Sequence, residues 1–196
     1  QGAQDRIRLP TSQHLRKEIV EELELRIGQL AVAAHEHSKE CSDMLVYVGA
    51  DRSGFLPESA RGSVLELTPG QLEAAWRVGC LGGFHVGQAA AKAMIGAGTG
   101  AILFTGATAS LRGSANFAPF AIAKFGLRAL AQSMARELGP KGIHVAHLVI
   151  DGQIGVAEGD TKLKPADIAE AYWSLYRQPR SAWTLEADLR TWVEKF

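Results

Sequence analysis

The chain has 196 residues, 46% of them hydrophobic, and its 21 basic and 21 acidic side chains leave no formal net charge. That length supports one sizeable core in a single domain, 1–196. The charge balance gives no electrostatic footing for nucleic acid or an anionic membrane, so neither is expected as a partner.

The opening residues, QGAQDRIRLP, lack the basic-then-apolar order of a signal peptide. Cys41 and Cys80 stand isolated, which reads as two reduced thiols in a cytoplasmic protein. The nearly uncharged stretch 78–111 holds His85, Lys92 and many glycines, and reads as helix, loop and strand rather than a membrane span. No metal site is expected. His35 and His37 are two apart on an expected helix, and His144 and His147 are three apart on an expected strand, so neither pair shares a face.

Residues 13–27 place Leu15, Ile19, Leu23 and Ile27 on one helical stripe, with Ser12 as N-cap and Gly28 as stop. The stretch after it is ambiguous, and a continuation of the helix to about Lys39 is the working expectation. Met44–Ala50 is short and apolar and reads as a buried strand. A Gly-, Ser- and Pro-rich loop follows. Thr68-Pro69 is a strong helix start, and that helix is expected to run to about Ile95. Gly79, Cys80, Gly83 and Gly87 lie on its broad face, where small side chains imply close approach of another backbone.

Ala101–Thr105 is the next expected strand, about 117–138 the next helix, and Ile143–Ile150 the strand after that. Pro165 opens a fourth helix with Ile168, Ala171, Tyr172 and Leu175 on one stripe. Trp183–Leu189 is a last short strand. Strands that are continuous apolar runs, alternating with helices, argue for an α/β fold with a parallel sheet covered on both faces.

The stretch 100–152, and within it the run ALAQSMARELGPKGIHVAHLV, closely resembles the core of the short-chain dehydrogenase/reductase family. The resemblance reaches over 42–196. It implies a Rossmann-like, doubly wound parallel sheet and an NAD- or NADP-dependent oxidoreductase acting on a small carbonyl or alcohol. In that family a Tyr on the long helix donates the proton. A Lys one turn later tunes the Tyr and holds the cofactor ribose. A Ser at the end of the preceding strand orients the substrate oxygen, and an Asn on the earlier long helix supports a water relay. Residues four apart share a helix face, which is why the Tyr and Lys keep that spacing.

By this resemblance Lys124 is retained as a catalytic and cofactor-binding cation. Phe120 stands at the Tyr position, Ala107 at the Ser position and Gly79 at the Asn position. The chain resembles a subgroup with Phe in place of Tyr. Gly49, Gly152 and Ile154 fall at further cofactor-contacting positions, with Asp151-Gly152 replacing the family's Pro-Gly turn. No Gly-rich strand–turn–helix motif precedes Ser42, so the sheet is expected to lack the N-terminal βαβ part that takes the cofactor phosphates. Either the gene product is shortened or pieces are absent from the sequence.

Each assignment has a plainer alternative. A helix lysine such as Lys124 is often simply solvated. Thr105, Thr108, Ser110 and Ser114 are hydroxyls that can stand in for the missing one, but small polar residues in turns usually serve the turn. Tyr47 is a third possible substitute beside Thr108 and Ser110, although a strand Tyr is more often core. The resemblance therefore gives two expectations: an oxidoreductase with a degenerate catalytic tetrad, or a non-catalytic ligand-binding or assembly subunit. It also implies a homodimer or homotetramer through the helices 71–95 and 117–138.

Overall fold

The computed structural model describes residues 32–36, 44–48 and 61–195. Five strands form one sheet in the order β1 (Val32–Glu36), β2 (Met44–Val48), β3 (Gly100–Ala107), β4 (Ile143–Asp151) and β5 (Glu186–Arg190). Strands β2 to β5 are mutually parallel. The β3–β4 pairing runs from Gly100 opposite Ile143 to Ala107 opposite Ile150. This is the Rossmann-like α/β sheet that the alternating strands and helices predict.

Strand β1 corrects the expected continuation of the first helix to about Lys39. Val32–Glu36 pairs antiparallel with β2, Val32 opposite Val48 and Glu36 opposite Met44. Its run of Val, Ala and Ala has too little periodicity to decide between helix and strand, and sheet pairing decides it. His35 is therefore a strand residue. The expected helix 13–27, and Cys41, Gly49 and Ala50, lie outside the described residues.

Thr68 caps the next helix with its side chain on Gln71 N, and Gln71 returns a bond to the Thr68 backbone. This capping box and Pro69 fix the start of α1 (Pro69–Trp76). The expected long helix is not uniform. A π-helical turn, Arg77–Leu81, joins α1 to α2 (Gly82–Met94), and Gly79 lies inside it.

The glycines of this helix contact α3 (Ala118–Leu138) and β3. A Cβ on Gly79 would stand 2.8 Å from Ala123 Cβ, one on Gly83 2.4 Å from Leu127 Cδ1, and one on Gly87 2.9 Å from Phe104 Cζ. From the other side, a Cβ on Gly126 would stand 2.8 Å from Cys80 Sγ. The close approach implied by the small residues is thus packing within this chain.

Side chains of β3 and β4 alternate between two cores. Ile102, Phe104, Ile143 and Val145 join Met94, Leu127 and Ala131 on the α2–α3 face. Leu103, Ala146, Leu148 and Ile150 join Ile168, Tyr172 and Trp173 of α4 (Pro165–Tyr176) on the other. Full burial of each large apolar side chain contributes about 1.5–3 kcal/mol. Gly142 turns the chain into β4 with φ +91°, a conformation that favours glycine. The last strand starts at Glu186, three residues later than expected, because Gln178 holds Trp183 Nε1 through its carbonyl and Thr184 N through its side chain, folding them back instead of along the sheet.

Candidate active site

The carboxyl ends of β3 and β4 and the first turns of α3 converge. In open parallel sheets that end is where ligands bind. Lys124 is the central group. Its side chain is buried, only 5% exposed, and Nζ donates to the Thr105 carbonyl at 2.9 Å. Burial pulls its ammonium down from 10.5 to about 8. One turn earlier, the Phe120 ring centroid lies 5.9 Å from Nζ. Phe120 has no hydroxyl, so no proton donor stands at that position.

The two turn hydroxyls proposed as substitutes are engaged elsewhere. Ser110 is fully buried, and its Oγ accepts the Ala107 N–H at 3.1 Å. Thr108 donates its hydroxyl to Asp151 Oδ1. Asp151 is fully buried and also lies 3.4 Å from Arg112 and 3.5 Å from Arg190. Arg112 further reaches Glu194 at 3.6 Å and the Lys195 carbonyl at 3.3 Å. The turn after β3 is thereby tied to the last strand and the segment that follows it.

Tyr47 sits in β2 opposite Leu103, two residues short of Thr105 in register. Gly152 follows Asp151 with φ +150°, again a glycine conformation. Ile154 bridges to Leu163, closing the base of the loop 153–163 and packing against the α4-side core. Gly49 lies outside the described residues. The structure therefore gathers Lys124, Thr108, Ser110 and Gly152 at one end of the sheet, but leaves neither Thr108 nor Ser110 unengaged.

Sequence reading missed three features here. Tyr172, read only as a core residue, shares a 2.6 Å hydrogen bond with Thr105 Oγ1. Asp151 reads from the sequence only as a turn residue. His147 enters the sequence argument only through the rejected metal pairing. It is fully buried, with Nδ1 3.2 Å from Glu186 Oε2, and Arg128 holds both Glu186 oxygens at 2.7 Å. His144, on the opposite face as its spacing predicts, stacks on Trp183 with centroids 5.0 Å apart. Only a charged or polar residue in an otherwise apolar strand could have signalled His147 and Asp151. The Arg128–Glu186 pair is 58 residues apart and leaves no local pattern. Among the described residues no three His, Cys, Asp or Glu side chains group as metal ligands, and no helix is long and apolar enough to cross a membrane.

Residues 31–154 match the family model described as short chain dehydrogenase. The chain belongs to the short-chain dehydrogenase family. A solved short-chain dehydrogenase from Rhodopseudomonas palustris is 52% identical, with a TM-score of 0.59 over 66% of this chain and 56% of that one. A metagenomic short-chain oxidoreductase, solved in complex with NADP, is 26% identical with a TM-score of 0.56, covering 66% of this chain and 55% of that one. Among curated proteins, the (21S)-21-acetoxyl-apo-melianone synthase SDR of Melia azedarach is 34% identical over 84 residues. That match covers 43% of this chain and 31% of the relative. The chain thus spans a little over half of the short-chain dehydrogenase structures it matches at these levels.

Proposed function

We propose that this chain carries the site of an NAD- or NADP-dependent oxidoreductase for a small carbonyl or alcohol, with a degenerate catalytic tetrad. The observation that supports it most is Lys124, buried against Thr105 with a phenyl ring where the proton-donating hydroxyl would stand. A buried ammonium has three N–H donors, and one of them is satisfied by the Thr105 carbonyl. The others suit a vicinal diol such as a cofactor ribose. Gly152 follows β4 directly, at the same end of the sheet as Lys124. These residues fit the nicotinamide-ribose end of such a cofactor. The bound cofactor would supply hydride exchange with the substrate carbon.

The chain's own groups set the limits of the chemistry. Phe120 has no proton to give, Ala107 has no hydroxyl to orient a substrate oxygen, and Thr108 already gives its proton to Asp151. Losing a positioned general acid typically costs a factor of 10² to 10⁴ in rate. Loss of a second member of the same unit adds little. Little carbonyl reduction by the Tyr-type route is therefore expected. The second reading, a non-catalytic subunit, rests on the same hydroxyl losses.

Titration with NADH and NADPH by fluorescence tests cofactor binding. The double substitution Phe120→Tyr with Ala107→Ser tests the decay. If the site is a degenerate reductase, the double variant gains at least tenfold in ketone turnover. Ordinary ketone turnover by the unaltered chain would sink the degenerate reading, and failure of both cofactors to bind would leave the non-catalytic one.

A further inference from the structure

The end of the sheet that carries Lys124 is crossed by later residues of the chain. A Cβ on Gly152 would stand 3.6 Å from Leu163 Cδ1 and 3.8 Å from Glu194 Oε2. The side-chain face of Gly152 is therefore already covered, by the loop 153–163 and by the segment after β5. The base of that loop is pinned. Leu163 N donates to the Gln153 carbonyl and Gly155 N to the Leu163 carbonyl, each at 2.9 Å. The tip beyond Gly155 is held differently. Val156 is 82% exposed, and the Thr161–Glu158 and Asp160–Lys164 contacts are local to the loop. The Gly159 carbonyl accepts the Trp192 indole N–H at 3.0 Å, which ties the tip to the segment after β5.

Trp192 is 78% exposed, an uncommon position for so large an apolar ring, and its polar nitrogen is spent on the loop tip. Two residues on, Glu194 Oε1 lies 3.6 Å from Arg112 Nη2, and the Lys195 carbonyl accepts from the same nitrogen at 3.3 Å. Arg112 also lies 3.4 Å from the buried Asp151, which keeps it with the sheet. The segment 192–195 thus joins the loop tip at one end to the turn after β3 at the other, and passes beside Gly152 between them. These bonds are long or exposed, and such contacts are individually weak. A segment held by a few weak bonds opens at small cost.

We propose that residues 192–195 are an autoinhibitory strap: closed, they latch the loop 153–163 across the Lys124 end of the sheet, and a dinucleotide binds there only once the strap lets go. The proposal rests on the oxidoreductase reading above, in which Lys124 and Gly152 meet the nicotinamide-ribose end of the cofactor. The Glu194 carboxylate opposes that ligand in two ways. It fills space beside the Gly152 backbone, and it repels the negatively charged dinucleotide. The apparent affinity is then the intrinsic affinity reduced by the fraction of chains whose strap is open. The gate uses none of the missing hydroxyls, so it acts on binding whether or not the tetrad works.

The test uses the full chain and two substitutions, Trp192→Phe and Glu194→Gln, singly and together. Both keep the side-chain shape; the first removes the indole donor and the second the carboxylate charge. In the double variant, hydrogen exchange read by mass spectrometry should be about tenfold faster in 156–162 and unchanged in β3 and β4. Calorimetric titration with NADH and NADPH should give the double variant a Kd about fivefold lower than that of the unaltered chain. Trp192→Phe alone, which leaves Glu194 in place, should also tighten binding. If the double variant does not fold, the two single variants carry the result. Unchanged exchange in 156–162 overturns the latch. Faster exchange with unchanged or weaker affinity overturns the autoinhibition, and tighter binding in Glu194→Gln without any in Trp192→Phe reduces it to a charge effect with no strap. If no form of the chain binds either cofactor, the oxidoreductase reading fails and the autoinhibitory role with it, while faster exchange in the double variant still marks the loop latch.

Discussion

At the scale of single residues, Lys124 is expensive to keep. Its pKa is drawn from 10.5 to about 8 by burial, a difference on the order of 3 kcal/mol between charged and neutral forms. The folded pKa lies below the unfolded one, so the penalty is full below pH 8 and fades as pH rises toward 10.5. Lys124→Met should therefore raise stability at pH 7 by about 1–3 kcal/mol, less the hydrogen bond to Thr105. Its advantage should shrink between pH 8 and 10.5 in urea titrations. A destabilised variant at pH 7 would show that the ammonium is compensated. His144 and His147 act in the same sense at lower pH. Burial lowers both, with Glu186 drawing His147 partly back. Both favour the fold above about pH 6.5, and that contribution is lost as pH falls below it. Thermal melts from pH 8 to pH 5 should show a falling Tm. A flat profile would mean that neither imidazole is buried neutral.

At the scale of elements, β2, β3, β4 and the helices α3 and α4 were legible because each carries an unbroken apolar period and a recognisable start. Pro165 and the Thr68-Pro69 pair are examples. What could not be read depended on contacts between distant segments. Val32–Glu36 becomes a strand only through β2, and the π-helical turn at Arg77–Leu81 has no local sequence mark. In the site, Lys124 and Phe120 were legible from their spacing and the family likeness. The Thr108–Asp151 bond joins residues 43 apart and was not. The turn into β4 offers a direct test of backbone constraint. A Cβ on Gly142 would stand 1.9 Å from the Gly98 carbonyl oxygen, and the φ is unsuited to other residues. Gly142→Ala is expected to cost at least ~2 kcal/mol, seen as a lower urea midpoint. A midpoint shift equivalent to less than ~0.5 kcal/mol would mean the turn rebuilds freely.

At the scale of the molecule, the glycine face of α1 and α2 is used inside the chain, so self-association has to rest on other side chains. Trp76 of α1, Phe84 of α2, and Ile122 and Phe125 of α3 are between 38% and 43% exposed. We propose that these form the face through which two copies pair, an isologous contact in which one surface meets itself. Phe125→Glu should then shift a dimer or tetramer toward smaller species in sedimentation at micromolar concentration. A monomer before substitution would end that reading.

The alternation of β4 between two cores carries a consequence for how the molecule opens. Every second residue of Ile143–Ile150 anchors a different layer, so each helical layer can detach while the strand stays held by the other. Local opening energies then form a hierarchy. Amides of β3 and β4 should exchange with solvent deuterium only when both layers are lost together. Those of α4 and those of α2 should exchange earlier and independently, in two kinetic groups. A variant that loosens one layer, such as Ile168→Ala, should speed exchange in α4 and leave α2 at its original rate.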